Sequence, residues 1–288
     1  MAIILGIGAA IGFGVVDFIG GVQSRRHSVP IVVAISQGTG FTLLGAVLII
    51  SGQPLPPLGA AILGFLSGMA LLLGVTAYYR GLSIGAMGVV GPIAATAVVI
   101  PLAVGLISGD DLSSVQAAGI ALAVGGMIAT GYQPTAGLRG GKLARGVGAA
   151  ILAAIGIGIY YPLVDFAANN ATVLWVVFLH RLGAVTTIAT FVYPYLARGP
   201  MKRREHGREH FGKFDAGSLI GMGVISVIST GLFAAATTEG LLAVVSVLAA
   251  MFPVTTILLA RVFLGERLSV PQRAGAVAAL AGVALIAS

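Results

Sequence analysis

Long runs of apolar residues are the feature that most limits what this chain can fold into. No Asp, Glu, Lys or Arg occurs between His27 and Arg80, and similar apolar stretches recur up to the C-terminus. Only 9% of the residues are charged and the mean hydropathy is +1.05, whereas a soluble domain carries about 25% charged residues. The sequence contains no Cys. This composition excludes a soluble domain, a disordered chain and a disulfide-stabilised module, and it predicts a polytopic membrane protein.

The apolar stretches divide into ten segments that are long enough to cross a bilayer. A hydrocarbon core about 30 Å thick needs about 20 residues of helix. The run after His27 is divided at residues 51–57, because prolines this closely spaced cannot lie inside one helix. The sequence therefore predicts an all-α membrane protein with ten transmembrane helices at Ala2–Val22, Pro30–Ile50, Leu58–Tyr79, Ala86–Ile107, Ser114–Tyr132, Gly146–Val164, Ala171–Leu196, Gly217–Thr237, Leu241–Val262 and Val270–Ala287.

The charges of the loops alternate along the chain. Of the 16 Lys and Arg residues, all except Arg181 lie in or next to odd-numbered loops, whereas the even-numbered loops carry only acidic residues. Lys and Arg are retained on the cytoplasmic side of a membrane. The sequence therefore predicts a multi-pass protein of the plasma membrane, with a bacterial inner membrane expected, whose odd-numbered loops are cytoplasmic and whose termini are outside.

The two halves of the chain repeat each other. Gly109, Leu112, Ser113, Gln116 and Gly119 recur as Gly265, Leu268, Ser269, Gln272 and Gly275, with a constant offset. Five spans per half is an odd number, so the second repeat is inverted relative to the first, as in alternating-access transporters. The predicted units are a first repeat at 1–133, a connecting loop at 134–145 and a second repeat at 146–288.

This arrangement resembles the drug/metabolite transporter superfamily, EamA type. The resemblance rests on two five-helix halves, each of which ends in helix, Gly-acid-x-Leu-Ser-x-x-Gln-x-Ala-Gly and helix. It implies a ten-helix exporter or exchanger of small metabolites, often amino acids, with a central cavity lined by both halves. The usual picture of the family places both termini in the cytoplasm, whereas the loop charges here favour the opposite, and we follow the charges.

Polar residues inside the spans are the candidates for substrate binding. His180 and Arg181 lie near the middle of the seventh span, where a central Arg costs about 2.5–3.5 kcal/mol. Arg181 therefore faces the bundle, either as a clamp for a carboxylate or as part of a structural pair. Gln37 occupies the position in the first half that corresponds to His180.

Three acidic residues are candidates for proton coupling. Asp17 and Asp165 lie near the ends of their helices within matching Val-Asp-Phe sequences, and Glu239 begins a tight turn. For each of them the alternative, which we favour from the sequence, is a residue at the membrane interface.

Aromatic and proline residues give further candidates. Tyr78, Tyr160 and Trp175 could stack on a substrate, although tyrosines at span ends are also expected as an aromatic belt. Pro92, Pro101 and Pro253 lie inside the fourth and ninth spans, where each frees a backbone carbonyl and predicts a kink at a cavity or gate.

We therefore expect a secondary transporter that works by alternating access, not an enzyme. No GxxxxGK[ST] sequence is present, and no cofactor or metal is expected. The expected partners are a small-molecule substrate and membrane lipid, without nucleic acid, in a monomer or a weak homo-oligomer. The alternative is an intramembrane enzyme acting on a lipid or a small amphipathic substrate, with scattered histidines as its weak support.

Overall fold

The structure is a computed structural model of the whole chain. It describes residues 1–24, 26–27, 29–84, 90, 93–131, 146–192, 212–265 and 269–287. Within these ranges the chain is helical and contains no β-strand. The helices are α1 Ala2–Gln23, α2 Val29–Ser51, α3 Leu58–Ile84, α4 Val99–Ile107, α5 Ser114–Gly131, α6 Val147–Ala168, α7 Val173–Thr187, α8 Lys213–Thr237, α9 Leu242–Ala249, α10 Phe252–Leu264 and α11 Val270–Ala287.

These helices confirm the predicted all-helical membrane architecture. Eight helices are long and apolar enough to cross a membrane, and α9 and α10 together count as one of them. Two shorter apolar helices, Ile93–Ile107 and Ser114–Thr130, complete about ten spans in the described part of the chain. The predicted connection at 134–145 lies outside the described residues.

Several span limits differ from the sequence prediction. Helix α6 continues to Ala168, beyond the predicted end at Val164, and α8 begins at Lys213 instead of Gly217. The earlier start of α8 has a local cause, because the carboxylate of Asp215 accepts a hydrogen bond from the N–H of Gly212 at 3.2 Å and caps the first turn.

The fourth span of each half is interrupted. In the first half a 3₁₀ turn at Thr96–Val98 precedes α4, and in the second half the break between α9 and α10 precedes Pro253. A proline cannot donate the backbone hydrogen bond that would continue the preceding helix. The two interruptions occupy corresponding positions of the two repeats.

The repeated Ser-x-x-Gln sequence is a helix start. In α5 the N–H of Ser113 donates to Gln116 Oε1 at 3.1 Å, and the N–H of Gln116 donates to Ser113 Oγ at 3.2 Å. In α11 the N–H of Ser269 donates to Gln272 Oε1 at 3.0 Å. The repeat thus forms a complete capping box at α5, and at α11 the half of it in which the Gln side chain accepts from the Ser N–H.

The last helices of the two halves pack against each other in opposite directions. A Cβ on Gly119 would lie 2.9 Å from the carbonyl oxygen of Gly282, and a Cβ on Gly126 would lie 2.6 Å from that of Gly275. The partner numbers decrease as the numbers along α5 increase, so α5 and α11 are antiparallel. Since these helices are equivalent in sequence, the two repeats are inverted relative to each other.

Other helix pairs show the same symmetry, because each contact between the two halves has a matching contact in which the halves are interchanged. Helix α3 packs on α6 and its counterpart α8 packs on α1, while α3 also packs on α7 and α8 on α2. The bundle therefore has two ends, named here from their loops. The basic end carries the odd-numbered loops, and the acidic end carries the even-numbered loops and the termini.

The acidic end is closed by tightly packed side chains. All residues of α9 are buried, and Asp110, which follows α4, accepts a hydrogen bond from the N–H of Ala243 at 2.8 Å. Thr172 also donates to Gln53 Oε1 at 2.6 Å across the two halves. Many large apolar side chains on the outside are exposed, as expected for a surface that faces lipid.

Candidate functional site

A cavity of about 150 Å³ lies between the two halves of the bundle. Helices α1, α2 and α3 of the first half and α6, α7, α8 and α10 of the second half contribute to its wall. The sequence candidates Gln37, Tyr160, His180 and Arg181 all line this cavity. The structure therefore brings together residues that are far apart in the sequence.

Arg181 is held by side chains from two other helices. Its Nη1 donates a hydrogen bond to Gln37 Oε1, and its Nη2 donates to Ser226 Oγ at 2.8 Å and to Thr230 Oγ1 at 3.2 Å. The side chain is only 1% exposed. These partners are neutral, so they orient the guanidinium without cancelling its charge.

The guanidinium has no carboxylate beside it among the described residues. The ion pairs in that part of the chain join Asp215 to Arg26 and His27 and do not involve Arg181. The Nε hydrogen of Arg181 is buried and has no hydrogen-bond acceptor there. A buried cation with unused donors, next to a cavity, is chemically suited to pair with an anionic group.

Close helix contacts fix the position of α7 around this cation. A Cβ on Gly40 would lie 3.2 Å from both Cδ and Nε of Arg181, so the absence of a side chain at this position makes room for the guanidinium. At Gly68 of α3 and at Gly183 of α7 an added Cβ would collide with the backbone of the other helix. A side chain at Gly68 or Gly183 would therefore force α3 and α7 apart.

His180 is anchored to α3. The Oγ of Ser67 donates to the carbonyl oxygen of Gly64 at 2.7 Å, so it accepts from His180 Nδ1, which lies 3.0 Å away. The ring proton is therefore on Nδ1, and Nε2 is left as an acceptor. The ring of Tyr160 packs edge-on against this imidazole, with 5.3 Å between the centroids.

A second and larger cavity, of about 280 Å³, adjoins the first. Asp17, Tyr79, Tyr161 and Phe252 belong to the walls of both cavities. Residues at the basic ends of their helices, such as Tyr78 and Gln272, line only the larger cavity. The two cavities together form a path from the basic end towards Arg181.

The interruptions of the fourth spans lie along this path. The larger cavity is lined by residues of the 3₁₀ turn and its neighbours in the first half, and by Ala250, Phe252 and Pro253 in the second half. Pro253 thus lies at a cavity, whereas Pro101 is buried in α4 and lines neither cavity. Pro92 lies outside the described residues.

Three other sequence candidates lie away from both cavities. Trp175 is near the start of α7 and packs edge-on against Phe178, with 5.9 Å between the centroids. Asp165 is 7% exposed and accepts a hydrogen bond from Asn169 Nδ2 at 3.1 Å. Glu239 is exposed in the turn between α8 and α9.

The alternative interpretation of Tyr160 as part of an aromatic belt at the interface is wrong, and its neighbour Tyr161 is placed in the same way. Because α6 extends to Ala168, these residues lie well inside the helix and are 2% and 3% exposed. Tyr161 instead packs edge-on against Phe233, with 5.2 Å between the centroids. Aromatic side chains therefore form part of the wall of the cavity.

Sequence reasoning missed Ser226, Thr230 and Ser67, the polar partners of Arg181 and His180. A signal was present, since Ser226 and Thr230 are four residues apart in an apolar helix and so share one face. Phe13 and Phe252, which line the central cavity, carry no such signal.

Comparisons with known proteins agree with this architecture. A solved structure named only "Crystal structure of protein" superposes with a TM-score of 0.69 over 96% of this chain and 95% of that chain, at 16% sequence identity. This similarity supports the fold alone. A search of curated proteins finds no match.

The sequence also matches a family model in each half. The model of the EamA-like transporter family covers residues 1–132 and again residues 144–288. Each match spans one of the five-helix halves, and together they cover nearly the whole chain. With ten or so apolar helices, two inverted repeats and a cavity between them, the chain belongs to the EamA-like transporter family, within the drug/metabolite transporter superfamily.

Proposed function

We propose that this protein is a secondary transporter of small metabolites that carry a carboxylate, amino acids among them. The observation that carries the proposal is Arg181, a buried guanidinium that lines the central cavity without a carboxylate partner in the described residues. A substrate carboxylate would supply the missing negative charge and accept from the unused donors.

The size of the cavity supports a small substrate. An enclosed apolar space of about 150 Å³ accommodates a molecule of the size of benzene, and the central cavity has about this volume. The adjoining cavity of about 280 Å³ gives additional room towards the basic end.

A second ionisable group in the cavity, the carboxyl group of Asp17, supports a zwitterionic substrate. Asp17 lines the same central cavity as Arg181, and aromatic rings such as Tyr160, Tyr161 and Phe252 belong to the same wall. A carboxylate and a guanidinium that share one cavity match the ammonium and carboxylate groups of an amino acid. Because the wall between them is aromatic and apolar, it favours a substrate with an apolar side chain.

The two inverted halves support alternating access. Among the described residues, the cavities lie towards the basic end, while α9 and the contact between Asp110 and Ala243 close the acidic end. If the two halves exchanged their conformations, the acidic end would open instead. We infer from the loop charges that the basic end is cytoplasmic, so the cavities of this conformation lie on the cytoplasmic side of the closed α9. A Cys placed at Ser51 should then react with an impermeant maleimide from outside intact cells.

A transport assay tests the proposal. The purified chain in proteoliposomes should move labelled amino acids down a gradient without nucleotide and without altering them chemically. Arg181→Ala should lower the uptake about tenfold or more, because a hydrogen bond to a charged group contributes about 1.5–3 kcal/mol. Arg261→Ala, which removes an exposed Arg at the basic end, is the matched control and should not change uptake.

The outcomes separate the parts of the proposal. If the wild-type protein moves no carboxylate-bearing metabolite from a broad panel, the proposed function is wrong. If it does, and Arg181→Ala transports as well as wild type, Arg181 is a structural residue and the substrate is anchored elsewhere.

A further inference from the structure

Close contacts between helices show which positions of the two halves are equivalent. An added Cβ on Gly156 of α6 would lie 2.7 Å from the Cα of Gly74 on α3. An added Cβ on Gly12 of α1 would collide with the side chain of Ser229 on α8. Gly12 of α1 therefore corresponds to Gly156 of α6. On the helices that they meet, Gly74 of α3 corresponds to Ser229 of α8.

This alignment identifies the counterparts of two residues at the basic end. Along α1 and α6 it makes Tyr161 the counterpart of Asp17, and along α3 and α8 it makes Phe233 the counterpart of Tyr78. The Val-Asp-Phe sequences around Asp17 and Asp165 therefore do not occupy equivalent positions, although they match in the sequence. Because the halves are inverted, Asp17 and Tyr78 lie towards the basic end and their counterparts towards the acidic end.

The two equivalent pairs differ in their packing. Tyr161 packs edge-on against Phe233, with 5.2 Å between the centroids, and both rings are almost completely buried. Asp17 and Tyr78 are partly exposed and line the larger cavity. Within the part of the chain that is described, neither of them has a hydrogen bond or an ion pair. One pair is thus in contact, whereas the other faces open space.

The helices that carry these pairs differ in the same way. Helix α8 packs against α6 and α7, whereas the matching contacts of α3 with α1 and α2 are minimal among the described residues. Transporters built from inverted repeats alternate between two conformations in which the halves exchange their arrangements. Such an exchange would give α3 the contacts that α8 has now, and would separate α8 from α6 and α7.

We propose that Tyr78 closes the basic end in the opposite conformation, by donating a hydrogen bond from its phenol to the carboxylate of Asp17. Asp17 then takes the place that Tyr161 has now, and the ring of Tyr78 takes the place of Phe233. This inference rests on the proposed transport function, because it requires both conformations to occur.

The side chains at these positions are chemically suited to this contact. At the acidic end ring meets ring, and Phe233 has no hydroxyl group. At the equivalent place of the first half the ring of Tyr78 carries a hydroxyl group, and the residue opposite it has a carboxylate. A carboxylate that is packed into an apolar bundle needs a donor, and an O–H group bonds strongly to it. The hydroxyl of Tyr78 supplies the donor that Asp17 needs when the cavity around it closes.

This contact makes the two conformations bind a zwitterionic substrate differently. In the present conformation the carboxylate of Asp17 lines the central cavity and is available to an ammonium group. In the opposite conformation Tyr78 holds this carboxylate, while Arg181 at mid-depth still binds the carboxylate of the substrate. The ammonium group then has lost its partner, so an amino acid binds more tightly from the basic end than from the acidic end.

Thiol labelling at the acidic end tests the contact. The native chain contains no Cys, and Ser246→Cys in the buried helix α9 reports how often this end opens. Tyr78→Phe in this background should lower the rate of labelling by an impermeant reagent about tenfold or more, because it leaves Asp17 without its donor in the conformation that opens there. The smaller side chain is expected to fit, since Phe233 occupies the equivalent position.

Asp17→Ala provides the matched background for this comparison. Without the carboxylate no buried charge is left unpaired, so Tyr78→Phe should change the labelling rate by less than about twofold when it is combined with Asp17→Ala. The inference is wrong if Tyr78→Phe has no effect while Asp17 is present, or if its effect is the same in both backgrounds.

Transport measured separately from the two sides gives a second test. In right-side-out and inside-out vesicles, the ratio of the KM at the acidic end to the KM at the basic end should be about tenfold larger for labelled leucine than for the labelled α-hydroxy acid with the same side chain. Both compounds encounter the same conformational equilibrium, but only leucine carries an ammonium group. Equal ratios for the two compounds would overturn the inference.

Failure of this inference is distinguishable from failure of the proposed function, because the labelling requires no substrate. If the wild-type protein transports amino acids and Tyr78→Phe leaves the labelling rate unchanged, only the role of Tyr78 is wrong. If the wild-type protein moves no carboxylate-bearing metabolite, the proposed function is wrong whatever the labelling shows.

Discussion

Arg181 shows how a costly residue can be tolerated at the centre of a membrane protein. A central Arg costs about 2.5–3.5 kcal/mol on insertion scales, and its hydrogen bonds to Gln37, Ser226 and Thr230 offset part of this cost. These groups are neutral and leave the Nε hydrogen unused. The side chain is therefore oriented in advance but not neutralised, which is the condition that favours binding of an anionic group.

A prediction at this scale concerns Gly40. A Cβ at this position would lie 3.2 Å from Cδ and Nε of Arg181 and 3.0 Å from Val227 Cγ2. Gly40→Ala should therefore displace the guanidinium and raise the KM for a carboxylate-bearing substrate about tenfold, as overpacking commonly costs about 1–3 kcal/mol. Uptake by proteoliposomes as a function of substrate concentration measures this change.

Gly38→Ala is the matched control on the same helix. No atom lies within 4 Å of a Cβ added at Gly38, so this variant should keep the wild-type KM. If the two variants behave alike, the position of Arg181 does not depend on the space at Gly40.

Single residues were predictable from the sequence where their chemistry is unusual for a membrane span. Arg181, His180 and Gln37 were identified because a charged or amide group is rare at this depth. Ser226 and Thr230 were not, because Ser and Thr in apolar helices commonly bond to their own helix, as Thr230 Oγ1 also does to the carbonyl oxygen of Ser226 at 2.9 Å. Which hydroxyls also face Arg181 depends on how α8 is rotated in the bundle.

Among the helices, α9 is the element that closes the acidic end. It is short and completely buried, and it ends at the break before Pro253. The carboxylate of Asp110 reaches it from the other half and accepts the N–H of Ala243 in the first turn at 2.8 Å. Gly105 allows this approach, since a Cβ there would lie 2.9 Å from the nitrogen of Ala243. The contact caps α9 and joins the halves at the same time.

We expect Asp110→Ala to loosen this closure. Loss of a helix cap costs about 1 kcal/mol, so the open population should increase about fivefold. The measurement is the rate at which an impermeant thiol reagent labels Ser246→Cys, a conservative replacement of a fully buried residue of α9. The neighbouring exposed residue gives the control, because Asp111→Ala should leave the labelling rate unchanged.

The sequence predicted the helices better than the breaks within them. Segment length and apolarity were sufficient to place the spans, and the capping sequences at Ser113 and Ser269 coincide with the starts of α5 and α11. The end of α6 and the start of α8 differ from the prediction, because Asp165 and Asp215 lie at the limits of the apolar runs although the helices include both residues. Pro101 was expected at a cavity, but only the 3₁₀ turn that precedes it lies there.

Over the whole molecule, inversion of the repeats follows from the glycine contacts between α5 and α11. Gly119 meets Gly282, and Gly126 meets Gly275, so each contact is the counterpart of the other. Gly126→Ala should lower the Tm of the detergent-purified protein, because the added Cβ would lie 2.6 Å from the carbonyl oxygen of Gly275 and 2.8 Å from Ala279 Cα. The expected loss of stability is about 1–3 kcal/mol.

The adjacent residue provides the control for this variant. A Cβ on Gly125 meets nothing within 4 Å, so Gly125→Ala should keep the wild-type Tm. A similar loss of stability in both variants would show that the substitution acts through the helix itself and not through the contact with α11.

The fold as a whole was predictable because the lipid bilayer leaves few alternatives and the repeat shows in the sequence. The packing of α3 on α6 and of α1 on α8 was not, since it depends on which faces of nearly uniform apolar helices meet. For the same reason the closure of the acidic end by α9 could not be predicted from the sequence.

In the contact between α5 and α11, the same helix of each half packs against its counterpart in the opposite orientation. Two separate five-helix chains with this surface would pair as an isologous dimer, and each substitution would then be present in both chains. Fusion into one chain removes this restriction. Gly68 meets the carbonyl oxygen of His180 and its counterpart Gly223 meets that of Ser36, so Gln37 is the counterpart of Arg181. The described part of this chain therefore has one cation at its centre, where a dimer of identical units would have to accommodate two.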